Sequence, residues 1–141
     1  MPKMIFVNLP VANVARSAAF YEALGMTRDA RFSNEQAVAM VWSDTITFML
    51  LDHSFYSTFT SKRIADARET SQVLICLSRD SREEVDAITE AAIAAGGTGD
   101  PRPPQDMGFM YSRAFEDLDG HIFEPMWMDV AAALAPESRA A

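Results

Sequence analysis

Phe115-Glu116-Asp117-Leu118-Asp119-Gly120-His121-Ile122-Phe123-Glu124 reads as strand, tight turn, strand. Asp117 and Asp119 can bond nearby backbone, and Gly120 tolerates positive φ, so the centre is a turn. Phe109 to Glu116 ahead of it is rich in aromatic and apolar residues. Ile122 to Trp127 behind it is apolar except for Glu124. A carboxylate inside such a strand is costly to bury unless something pairs with it. Glu124 is therefore the leading candidate for a functional group. The alternative is a Glu on the solvated face of a half-buried sheet.

Outward from this hairpin, the 141 residues suffice for one domain, and an apolar share of 49% suffices for its core. The net charge of -8 argues against a nucleic-acid binder, which needs clustered Lys and Arg against phosphates. The single Cys76 cannot form an intrachain disulfide; a buried, inert thiol and a cytoplasmic location are expected. No secretory signal and no membrane span are expected either.

Upstream, Met4 to Val11 alternates Val7, Leu9 and Val11 with Phe6, Asn8 and Pro10, the period of a strand. Asn13 predicts the cap of a helix reaching Leu24, with Val14, Ala18, Tyr21 and Leu24 as its core stripe and Gly25 as its stop. Three strands follow, at about 27–32, 37–42 and 46–52. The segment 53–70 breaks the pattern. It holds Phe55, Tyr56 and Phe59, and reads as a linker or as a loop covering a binding site. His53, at its start, reads as a surface residue.

The order of elements then recurs. Gln72 to Ser78 predicts a strand, with Val73, Ile75 and Leu77 on one face. Ser81 and Glu84 form a capping box, and Val85, Ile88, Ala92 and Ala95 make the stripe of a helix ended by Gly96-Gly97. A short edge strand near 98–103, a loop at 104–108 and the final hairpin complete the second half. From Asp129 on, a short helix or frayed tail is expected. Recurrence of this kind signals a duplicated supersecondary unit.

Two stretches carry a family resemblance: Val11-Ala12-Asn13-Val14-Ala15-Arg16-Ser17 leading to Phe20-Tyr21-Glu22-Ala23-Leu24-Gly25, and Asp117 to Glu124. With the repeat between them, they resemble the vicinal oxygen chelate superfamily of glyoxalase I, bleomycin resistance proteins and extradiol dioxygenases. The resemblance implies an α+β fold: two βαβββ modules whose curved mixed sheets form a cup, in a homodimer. It sets module one at about 4–52, a connecting loop at 53–70, module two at 71–128 and a tail at 129–141, all within one domain. A ferredoxin-like α+β fold is the alternative, disfavoured by the two capped helices each followed by a hairpin.

Enzymes of that family hold a divalent metal with side chains from the first and last strands of each module. Residue by residue, the resemblance puts Glu124 at the last of these positions, Phe6 and Gln72 at the first-strand positions, and Phe48 at the remaining one, with Met49 or Leu50 as neighbouring choices. Phenyl rings offer no donor and an amide oxygen a weak one, so no metal and no cofactor are expected. By strand parity Phe6, Asn8, Phe48, Gln72 and Glu124 share the cup-facing side, with Leu74, Cys76 and Met126. Tyr111, Arg113 and Phe115 share one face of the penultimate strand, its direction open. Arg113 would neutralise Glu124, meet an anionic ligand group, or pair with another carboxylate in a packed core. His121 reads as a surface residue.

The expected function is binding of a small organic ligand by Phe6, Asn8, Phe48, Gln72, Tyr111 and Arg113, with Glu124 as the candidate catalytic base. The alternative is an enzyme: a lyase or isomerase using Glu124, or a metalloenzyme with a different ligand set. Neither a nucleic acid nor a membrane is an expected partner.

Overall fold

The structure, a computed structural model, describes residues 2–134. The chain divides into two compact units, 1–70 and 71–141.

In the first unit, β1 (Ile5–Val11) leads into α1 (Val14–Ala23), then β2 (Thr27–Asp29), β3 (Ala37–Ser43), β4 (Ile46–Asp52) and the short α2 (His53–Tyr56). The sheet order is β1-β4-β3-β2, with β1 parallel to β4 and the other pairs antiparallel. Asn13 caps α1 by accepting the Arg16 N–H at 3.0 Å, and Gly25 takes φ +99°, where a side chain would be strained. Leu9, Val11, Tyr21, Met40 and Leu50 are buried in its core. The strand expected at 27–32 stops at Asp29. That carboxylate accepts the Arg31 backbone N–H and pairs with its guanidinium, turning 30–32 into a 3-10 turn.

In the second unit, β5 (Leu74–Ser78) leads into α3 (Arg82–Ala94). Then come β6 (Thr98–Gly99), β7 (Gln105–Asp106), β8 (Met110–Ser112), β9 (Phe115–Glu116), β10 (Ile122–Met128) and α4 (Val130–Ala133). Ser81 caps α3 through the Glu84 N–H, while the Glu84 carboxylate returns to the Asp80 N–H at 2.7 Å. The box therefore closes one residue earlier than the standard pattern. The expected strand 72–78 begins only at Leu74, and the loop expected at 104–108 contains β7, which is too short for any periodicity to announce. The tail expected from Asp129 is described to Leu134, with α4 in it; 135–141 lie outside the described residues.

β10 is central, parallel to β5 on one side and antiparallel to β8 and β9 on the other. The pairs Ser112–Met126 and Phe115–Phe123 belong to one unbroken register, which sets Arg113 opposite Pro125 and Ala114 opposite Glu124. Arg113 N–H donates to the Pro125 carbonyl, but Pro125 has no N–H to return. The ladder thins there, and β8 and β9 are two pieces of one strand. The organising turn forms as expected. Asp117 accepts the backbone N–H groups of Asp119 and His121 at 2.9 Å each, and Gly120 sits at φ +95°.

Each unit is thus a βαβββ arrangement, the second strand of the second unit being split into β6 and β7 and the third into β8 and β9, and the α+β fold class is as expected from the sequence.

Candidate functional site

Residues in register across a sheet share a face, and this assigns every candidate. In the second unit Phe115, Phe123 and Pro125 are buried on the α3 side, with the two rings stacked at 5.4 Å. Glu124 points the other way. Its register partner on β5 is Cys76; Leu74 and Ile122 pair on one side of it, and Met126 pairs with Ser112 on the other.

Arg102 is the group that meets Glu124. It projects from the loop between β6 and β7, among Pro101, Pro103 and Pro104, whose fixed φ angles limit the loop's freedom. Its Nε and Nη2 both donate to Glu124 Oε2, at 3.1 and 3.0 Å. Nη2 also donates to Ser112 Oγ at 3.1 Å, and Nη1 to the Pro103 carbonyl at 3.0 Å. Ala114 opposite Glu124 places no long side chain in the way. The charged pair is partly covered, its side chains 27% and 21% exposed, and is flanked by the apolar Leu74, Ile122 and Met126. Cys76 beside it is exposed, not buried as expected. Desolvation and, second, the Glu124 carboxylate push its thiol above the ordinary range, so it is a poor nucleophile at neutral pH.

Arg113 does not neutralise Glu124. Opposite Pro125 it faces α3, donating to Asp100 Oδ1 and Oδ2 at 3.1 and 2.8 Å, to Asp86 at 3.1 Å and to Glu90 at 3.1 Å. Tyr111 shares this side and donates its hydroxyl to Asp86 at 2.7 Å. Asp86 and, with it, burial raise the Tyr111 phenol; the Arg113 hydrogen bonds hold the Asp100 carboxyl below its usual range; and Asp100 chiefly raises the Arg113 guanidinium. Tyr111 and Arg113 therefore serve the α3 packing, not the Glu124 face.

In the first unit Phe6 and Asn8 are exposed on the face away from α1, as parity predicts. Phe48 is not with them. Its register partner is Val7, so it points to the helix, 1% exposed and stacked on Tyr21 at 6.5 Å. Thr47 and Met49 are the register partners of Phe6 and Asn8. Gln72 lies before β5 and is exposed. His121 is half-buried at the hairpin turn, and His53 is the exposed first residue of α2.

These residues do not fit a divalent metal. Phe6 has no donor, Gln72 is outside its strand, and one Glu124 oxygen already takes two N–H groups of Arg102. Among the described residues no group of three His, Cys, Asp or Glu could hold an ion. Arg102 was missed because a Pro-flanked loop has no period to assign its direction. The signal present in the sequence is that a strand carboxylate needs a cation; the register of β8 and β9 against β10 is what turns Arg113 away from Glu124.

The comparisons agree with this architecture. Residues 3–124 match the family model described as Glyoxalase/Bleomycin resistance protein/Dioxygenase superfamily. Among curated proteins no sequence matches. A hypothetical protein of S. aureus is 27% identical, with TM-score 0.75 over 90% of this chain and 94% of that one. A glyoxalase/bleomycin resistance protein/dioxygenase family enzyme of Burkholderia phytofirmans PsJN superposes with TM-score 0.76 at 17% identity, over 90% and 99% of the two chains. The fosfomycin resistance protein of Mesorhizobium loti does so with TM-score 0.69 at 18% identity, over 96% and 99%. The latter two likenesses show the fold alone. On the match over 3–124 and the paired βαβββ units, the chain belongs to the glyoxalase/bleomycin resistance protein/dioxygenase superfamily.

Proposed function

We propose that this protein binds a small organic ligand on the Glu124 face of its second unit, without a divalent metal. The observation that supports the reading is the Arg102–Glu124 pair with Ser112, set among apolar side chains on the sheet face away from α3. Apolar surroundings with a few converging polar groups are what small-molecule sites offer. Arg102 supplies the positive charge that Glu124 needs, so the carboxylate requires no ion to be tolerated there. Glu124 is the group placed to orient the ligand or accept a proton from it. Phe48, Tyr111 and Arg113 pack against helices and are not part of this face; Phe6 and Asn8 are exposed on β1 in the first unit.

The two modules act as one domain in a homodimer, in the cytoplasm. Among the described residues no helix is long and apolar enough to cross a membrane.

The test is a thermal-shift screen of small polar aromatics and heterocycles against wild type and Glu124→Gln. Ligands that raise the wild-type Tm should lose most of that effect in Glu124→Gln, while the unliganded Tm changes little. Equal ligand shifts in both proteins would count against the site.

A further inference from the structure

We infer that Asp100 is a positioning residue for the Glu124 face: its pairing with Arg113 on the α3 side sets where Arg102 stands on the other side. This rests on the ligand-site reading above and adds a residue that builds the site.

β6 pairs with β9 at Gly99–Phe115, and β7 pairs with β8 at Gln105–Ser112. Residues 100–104 therefore lie against only Arg113 and Ala114, and the surplus chain has to leave the sheet as a bulge. Arg102 is at its centre. Had β6 continued regularly, Asp100 would follow Gly99 onto the opposite face, the face of Ala114 and of its register partner Glu124. It would bring a second negative charge to the side that holds Glu124, where like charges repel.

Asp100 turns back instead. Its φ of +48° is the one left-handed value outside glycine among the described residues. It precedes Pro101, a position ordinarily held extended. Its N–H donates to the Ala114 carbonyl at 2.8 Å, and its carboxylate accepts Nε and Nη2 of the buried Arg113 at 3.1 and 2.8 Å. A side chain stays in such a region only where its surroundings over-determine it. The turn frees the next residues from strand alternation, and Arg102 meets Glu124 through Nε and Nη2. At the far end Arg82 fastens Asp106 at 2.8 and 3.0 Å. Arg–Asp pairs on the α3 side thus tie down both ends of the segment whose middle serves the other face. Without the Asp100 carboxylate the near end loses its side-chain anchor, and Arg102 loses its fixed approach to Glu124.

The test follows the Arg102 side-chain Nε–H by NMR in ¹⁵N-labelled full-length protein without ligand, assigned by its loss in Arg102→Met. In wild type this hydrogen should be protected from solvent exchange, and Glu124→Gln should weaken the protection. Asp100→Gly can still take the left-handed turn but has no carboxylate. In it the Arg102 hydrogen should exchange about tenfold faster or more, as expected for loss of a charge-assisted hydrogen bond. Asp100→Asn tolerates the same turn and keeps one oxygen for Arg113, so its rate should fall between the two. The backbone N–H groups of Asp119 and His121, held by Asp117, report that the unit is folded. Arg102 Nε–H protection in folded Asp100→Gly equal to that of wild type overturns the inference and leaves the ligand site standing. A wild-type Nε–H no better protected than that of free arginine means that Arg102 and Glu124 are not paired, and both fall. If Asp100→Gly does not fold, Asp100→Asn decides: exchange faster than wild type supports the inference, and equal exchange overturns it.

Discussion

Arg113 shows how the sequence can leave the role of a single residue open and why. Of the partners open to it, the structure shows other carboxylates: Pro125 sits opposite it, so it points to α3 and gathers Asp86, Glu90 and Asp100. The residue alternation was legible; the direction was not, because it depends on the register from the Asp117–Gly120 turn. Glu124 was legible as a strand carboxylate in need of a cation. Arg102 was not, being held by a loop. The Asp100 carboxyl is the titratable part of the Arg113 cluster that yields a prediction. Its folded pKa lies below the ordinary 3.8, so its contribution to stability is present above that pH and is lost as pH falls through the lowered folded value. With the Asp100 side chain 32% exposed, solvent screening reduces the pair's contribution to about 1 kcal/mol. Urea denaturation should find Asp100→Asn less stable than wild type by that amount at pH 6 to 7, with the difference shrinking below about pH 4. A difference that grows toward acid pH would refute the assignment.

Among the elements, α1 and α3 were readable from their caps and stops, because capping is local chemistry. Asn13 and Ser81 make the expected bonds, and Gly25 and Gly96 take φ +99° and +101°. Short pieces were not readable. β7 is two residues long, and Arg82 at the start of α3 binds its Asp106 through Nη1 and Nη2 at 2.8 and 3.0 Å and lies over Tyr111 and Trp127. Such a tertiary clamp leaves no local trace. The two helix-stop glycines give a graded test. Gly25→Ala meets nothing within 4 Å, so it should cost only the left-handed strain, about 1 kcal/mol. Gly96→Ala carries the same strain and sets its Cβ 3.3 Å from Leu118 Cδ2, so chemical denaturation should find it the more destabilised of the two. Equal effects would mean that Leu118 yields freely.

For the molecule as a whole, the repeat and the two quoted stretches carried the family, and that membership holds over 3–124. Phe48 is where the sequence reading failed: its face depends on the register of β4 against β1, which pairs it with Val7. The first strand of each unit lies at a sheet edge, and Ile5 and Phe6 on β1, with Val73 and Leu74 at β5, are all more than half exposed. Edges and apolar surfaces of this kind need covering. A homodimer at micromolar concentration is the expected outcome of sedimentation velocity, and a monomer alone at that concentration would contradict it.

The central claim is that Glu124 is served by Arg102 and not by a metal ion. Elemental analysis of the protein purified without chelators from cells grown with zinc, iron, nickel and manganese tests it most directly. The account predicts far less than one bound ion per chain, since well-placed donors are needed to offset the ion's lost water. About one ion per chain in wild type, absent from Glu124→Gln, would contradict it.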